Sequence, residues 1–136
     1  MKIELKGMTI GKVSEGYINN LEDGVYGMGN KLNIRPKYQR EFVYNPDQRD
    51  AVINSVMNGL PLNTMYWSEN EDGTFEVMDG QQRTISICEF IKGGFSVNYR
   101  FFHNLDEEEK KRFLEYKLMV YICKGTNKEK LTGESC

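Results

Sequence analysis

The sequence predicts a small α+β domain built on one sheet. Three observations lead there. The chain has 136 residues, the length of a single domain. Its periodic segments run helix, hairpin, helix, strand, helix, strand. That mixed order lacks the regular strand–helix alternation of a doubly wound parallel sheet.

The elements follow from local signals. Residues 1–29 form an N-terminal segment that is the least readable part. Within it, Thr9 to Tyr17 reads as a short helix and "LEDGVYGMG" as a glycine-rich turn. The clear domain spans residues 30–124. "KLNI" reads as a short strand ended by Pro36. Asn45 is a good N-cap, Pro46 suits the first helical position, and Gln48 stands three residues past the cap. Val52, Ile53, Val56 and Met57 repeat at helical spacing, and Gly59 and Pro61 stop the helix, which gives a helix from Pro46 to Asn58.

"NTMYW", "SENEDG" and "TFEVM" read as strand, turn and strand, a β-hairpin over Asn63 to Met78. Tyr66 and Trp67 alternate on its first strand, so one packs inward and one faces out. A helix follows over Gln81 to Lys92, with Ile85, Cys88 and either Phe90 or Ile91 inward and Gly93-Gly94 at its end. "FSVNYRFF" reads as a strand. Asp106 and Glu109 predict a capping box for a helix through Tyr116, and "KLMVYIC" a buried strand.

Composition narrows the class. The chain is 39% hydrophobic and 28% charged with a net charge of −2, ordinary for a globular protein. This balance argues against a nucleic-acid binder that works by bulk positive charge. The three cysteines fit no zinc spacing, and Cys88 and Cys123 lie in apolar runs as small core residues, with Cys136 terminal and exposed. No apolar run reaches the roughly 18 residues of a membrane span, so the expected setting is the cytoplasm without a membrane partner.

Two clusters carry chemistry. In "FEVMDGQQRTISICEFI" a strand ends in Asp79-Gly80 and turns at once into a helix. The free N–H groups and dipole of a helix start make an anion site. Gly80 permits the sharp turn, Gln81 and Gln82 supply neutral donors and acceptors, and Arg83 supplies a five-donor fork that matches a phosphate. Asp79 is suited to ligate Mg²⁺ or position a water. The alternative stands beside it: a plain turn with a cap, in which Arg83 pairs with Asp79 or Glu89. In "RPKYQREF", Arg35, Lys37 and Arg40 interleave with Tyr38 and Phe42, which suits a phosphate or a base, or else a solvated loop anchored by Tyr38. His103, with no second histidine, reads as a capping or core-edge residue. Asp106 to Glu109 read as a dipole partner of the following helix.

Together, "NIRPKYQREFVYNPDQRDAVINSVMNGLPLNTMYW" and the DGQQR stretch closely resemble the N-terminal domain of GmrSD-type restriction endonucleases, over roughly Asn33 to Lys124. The resemblance implies a ParB/sulfiredoxin-like fold, a role in defence against phage with modified DNA, and nucleotide binding and hydrolysis that regulate or power DNA cleavage. It implies a pocket for a nucleoside triphosphate with Mg²⁺, formed by Tyr38, Gln39 and Arg40 facing Asp79, Gly80, Gln81, Gln82, Arg83 and Thr84. Asp79, Gln82 and Arg83 are the candidate catalytic residues and Asp79 the metal ligand. The expected partners are a nucleotide and, through a separate or missing nuclease domain or subunit, DNA; relatives often act as assemblies, which admits a homo-oligomer. Relatives continue past "GTNKEKL" into an aromatic-x-x-[Leu/Ile]-Asn element, and some into an HNH nuclease, whereas this sequence ends in "TGESC". Residues 125–136 are therefore expected to form a truncated or atypical tail. The alternative functions are a non-catalytic module for nucleotide or DNA phosphate, and a partner-dependent fragment.

Overall fold

The computed structural model describes residues 2–35 and 45–124. They form an α+β domain whose seven strands make one mixed sheet. In chain order these are β1 (Lys2–Thr9), α1 (Ile10–Ser14), β2 (Ile18–Asn19), β3 (Val25–Gly27), β4 (Leu32–Arg35), α2 (Pro46–Met57), β5 (Met65–Glu69), β6 (Phe75–Asp79), α3 (Gln81–Lys92), α4 (Glu107–Glu115) and β7 (Lys117–Lys124). The sheet order is β1-β7-β5-β6-β4-β3-β2. The pairs β7/β5 and β6/β4 are parallel and the others antiparallel.

The residues hardest to read, 2–29, hold the sheet together at both ends. β1 pairs along its whole length with β7, from Lys2 opposite Lys124 to Thr9 opposite Lys117. β2 and β3 extend the other side beyond β4. Local patterning hides these strands. β1 has mostly exposed residues on both faces, so its sequence shows no buried alternation, and its partner lies at the far end of the chain.

One face of the sheet carries the core. Met65 and Trp67 of β5, Val77 of β6, Leu32 and Ile34 of β4, and Leu118, Val120 and Ile122 of β7 are all buried. They join Ile10 and Val13 of α1, Val52, Ile53 and Val56 of α2, Ile87 and Phe90 of α3, and Phe113 of α4 in one cluster. Trp67 is fully buried, while Tyr66 on the other face stacks on Tyr121 with centroids 5.4 Å apart. Cys88 and Cys123 are buried, and burial, helped by the neighbouring Glu89, pushes the Cys88 thiol up to about 12. Cys136 lies outside the described residues.

The helix starts follow their signals, with one change. Asn45 caps α2 by accepting the Asp47 N–H at 2.7 Å, so the bond goes to the second helical residue rather than closing a box with Gln48. Within α3 the inward residues are Thr84, Ser86, Ile87, Cys88 and Phe90, whereas Ile85 and Ile91 are half-buried against the core. The helix read over Thr9 to Tyr17 is shorter, with Thr9 as its N-cap.

The segment "FSVNYRFF" is not a strand. Val97 and Arg100 pair in an isolated bridge across Asn98 and Tyr99, both at positive φ, which makes a tight turn. Phe95 and Phe102 pack on Phe90, with centroids 5.6 and 6.0 Å away, and the Arg49 guanidinium lies 3.9 Å from the Phe95 centroid. The aromatics thus close the end of the helical layer instead of joining the sheet. His103 is exposed and stacks on Phe101. The turn is pinned to α4 by the Arg100 Nη2–Glu109 Oε1 pair at 2.7 Å. Glu109 also closes the capping box: it accepts the Asp106 N–H at 3.1 Å, and its own N–H donates to Asp106 Oδ1 at 2.8 Å.

Hydrogen bonds from Arg100 and the Asp106 N–H hold the Glu109 carboxyl below the ordinary glutamate range. A carboxyl lowered on folding adds stability above its unfolded pKa and loses it as pH falls through the folded value. Glu109→Gln is therefore expected to lower the melting temperature at neutral pH. In parallel melts that difference should shrink as pH falls below the carboxylate range.

Candidate functional site

One end of the sheet collects several chain segments. β4 and β6 are parallel and both end there, at Arg35 and Asp79. β5 starts there, with Tyr66 opposite Asp79, and so does β7, parallel to β5. The pairing of β5 with β6 shifts register between Tyr66 and Trp67, a bulge next to the β6–α3 turn.

The turn itself rests on Gly80. Its φ of +107° belongs to the left-handed region, and a Cβ there would lie 2.6 Å from Met65 Cγ. Only glycine lets β6 turn into α3 while Met65 fills the space beneath. Thr84 locks the turn from below: its N–H and its hydroxyl reach the Gly80 carbonyl at 3.0 and 2.8 Å. No side chain caps α3, so the first N–H groups of the helix open at the turn without an acceptor from a cap residue.

Of the residues singled out in the sequence, the structure brings Asp79, Gly80, Gln81, Gln82 and Arg83 together. Thr84 belongs to the same turn but is buried, with its hydroxyl used on Gly80. Gln81 Nε2 reaches back to the Val77 carbonyl at 3.3 Å. Gln82 is half-buried. The Arg83 side chain, 16% exposed, donates through Nη1 to the Asn63 carbonyl and lies 3.5 Å from Asp79 Oδ2, whose side chain is 64% exposed. The Asp79–Arg83 pairing weighed from the sequence is therefore present, and Glu89 instead accepts from Tyr17 at 2.7 Å. Burial, reinforced by that bond, raises the Tyr17 pKa and keeps its hydroxyl protonated.

Tyr38, Gln39, Arg40, Lys37 and Phe42 lie outside the described residues. Arg35, at the head of that basic cluster, is buried at the end of β4 and donates to the Leu21 carbonyl at 2.8 Å. It serves the fold on the β3 side, a role that its basic neighbours in sequence concealed.

A feature not foreseen from sequence adjoins the turn. A cleft of about 230 Å³ is lined by Gly59, Leu60, Pro61, Leu62, Asn63, Met65 and the start of β7 from Tyr116 to Met119. Asn63 and Met65 connect it to Arg83 and Gly80. Tyr116 donates to the Leu60 carbonyl at 2.6 Å and fixes one wall. The "GLPLN" segment looked like a helix stop alone, which is why the cleft went unread.

Among the described residues no three His, Cys, Asp or Glu side chains converge on a metal-sized space. Asp79 is a single exposed carboxylate.

The model of the GmrSD restriction endonuclease N-terminal domain matches residues 18–134. The chain belongs to this family. It is thus a restriction-system domain, and the match includes the strands that carry the DGQQR turn. No curated protein and no solved structure matches it significantly. No helix among the described residues is long and apolar enough to cross a membrane.

Gly80→Ala is expected to destabilise the fold by about 1–3 kcal/mol, from positive-φ strain and displacement of Met65. Urea denaturation should show a lower midpoint, whereas Gly73→Ala, also at positive φ but with open space around it, should lose less.

Proposed function

We propose that this domain binds a nucleoside triphosphate with Mg²⁺ at the β6–α3 turn and hydrolyses it in support of DNA cleavage by a separate nuclease domain or subunit. The observation that carries the reading is the uncapped start of α3 with the Arg83 guanidinium fixed beside it. Helix N–H groups and an anchored guanidinium together suit phosphate oxygens. The cleft along residues 59–63 leaves room next to them.

In this reading Asp79 has two partners in turn. Without ligand it neutralises Arg83. With ligand, Asp79 would hold Mg²⁺ and Arg83 would hold phosphate, so neither charge of the pair would be left unmatched. The metal, when bound, screens the charge of the phosphates. Gln81 and Gln82 offer neutral hydrogen bonds to phosphate or to an attacking water, and the Asn63 carbonyl keeps Arg83 in place. The resemblance assigns Tyr38, Gln39 and Arg40 to the same pocket, and Arg35 and Asp79 end their strands at the same end of the sheet.

A second reading has a specific observation behind it. Arg83 joins α3 to the 59–63 segment through Asn63 and to β6 through Asp79, which is also what a structural clamp does.

A thermal-shift titration with ATP, GTP, CTP and UTP, with and without Mg²⁺, separates the two. Saturation at 100 times the dissociation constant adds about 2.7 kcal/mol, several degrees for this size. Arg83→Ala should weaken binding by about 1.5–3 kcal/mol, roughly ten- to hundredfold. A clamp-only Arg83 would lower the unliganded melting point and leave the ligand shift intact. Asp79→Ala should bind the metal-free nucleotide more tightly than wild type, because the competing carboxylate is gone, and should lose the response to Mg²⁺. Phosphate release by wild type that is absent from both variants would establish hydrolysis at this turn. No shift with any nucleotide, in a protein that melts cooperatively, would sink the proposal.

A further inference from the structure

β1 ends the sheet: β7 lies on one side of it and no described strand on the other. It is a full eight residues long, without proline and without a register shift against β7. An edge of this kind is a template for another strand. Its exposed apolar residues, Ile3 at 48% and Leu5 at 50%, share a sheet face with Tyr121 and Met119, because they stand opposite Cys123 and Tyr121 in the register. Met119 is itself 40% exposed, and the Cβ position that Gly7 lacks lies 3.2 Å from Lys117 Cδ and 3.5 Å from Met119 Sδ.

We propose that β1 pairs antiparallel with β1 of a second copy of this chain, about a two-fold axis at Leu5, so that one sheet runs through both copies. The charge pattern of the strand suits that partner and favours that register over its immediate neighbours. With Leu5 opposite Leu5, Glu4 faces Lys6 of the second copy and Lys6 faces its Glu4. Ile3 falls opposite Gly7, where the missing side chain leaves it a place between the Lys117 stem and Met119. Lys2 falls opposite Met8. Moving the axis to Glu4 sets Glu4 on Glu4 and Lys2 on Lys6; moving it to Lys6 sets Lys6 on Lys6. Directly opposed like charges are destabilising, so the Leu5 register is favoured over its neighbours. Opposed residues of an antiparallel pair share a face, so the helices of both copies stay on one side and the Ile3, Leu5 and Met119 side chains merge on the other. The interface is independent of the nucleotide reading, since it uses no residue of the β6–α3 turn.

The test is sedimentation equilibrium of the full chain over a concentration series, together with cysteine cross-linking under mild oxidation. Wild type should show a mass that rises towards the dimer with concentration. Leu5→Lys, which opposes two lysines on the axis at a half-exposed position, should stay monomeric, still melt cooperatively, and have a melting temperature independent of concentration. Leu5→Cys should form a disulfide-linked dimer, because directly opposed side chains can approach to about 4.5 Å between Cβ atoms, the upper end of the disulfide range. Glu4→Cys, out of register with its own copy, should link far less. A wild type that is monomeric at every concentration, a dimer that survives Leu5→Lys, or Glu4→Cys linking as readily as Leu5→Cys would each overturn the proposal.

Discussion

The contact between Gly80 and Met65 is the constraint on which the candidate site depends. β6 can end and α3 begin within one residue only because position 80 has no side chain and adopts a left-handed backbone over a buried methionine. Thr84 then bonds to the Gly80 carbonyl and sets the helix axis. With the axis set, Arg83 lands on the Asn63 carbonyl and Asp79 stands next to it. The wall of the cleft, the uncapped helix start and the charge pair all inherit their positions from that turn.

The electrostatics of this end of the sheet are balanced and local. Arg83 is mostly buried and held by a carbonyl, while its carboxylate neighbour is mostly exposed. An ion pair of this kind adds little to stability, because one partner stays in water. Its value lies in keeping a guanidinium oriented at low net charge. With an overall charge of −2, the proposed binding of an anion would rest on fixed donors at one spot rather than on a basic surface.

The sheet links the ends of the described chain. β7 is an interior strand, between β1 and β5, and its inward residues Leu118, Val120 and Ile122 are buried. Its first residues line the cleft and its whole length carries β1. The strand that closes the core therefore touches both the candidate pocket and the edge of the molecule.

The sequence by itself determined the elements whose signals are local. The cap and stop of α2, the hairpin of β5 and β6, the extent of α3 and the Asp106–Glu109 box all depend on residues within a few positions of one another, and each was legible. The family was legible too, because DGQQR and its flanking helix and strand are contiguous. Tertiary structure decided whatever depends on distant partners. β1 became a strand only because β7 offered an edge, and Arg35 was drawn inward by Leu21. "FSVNYRFF" gave up a strand for packing on Phe90, since burying Phe95 and Phe102 there closes the helical layer and Asn98-Tyr99 tolerates the turn. Periodicity records which residues prefer burial; it does not record which neighbour buries them.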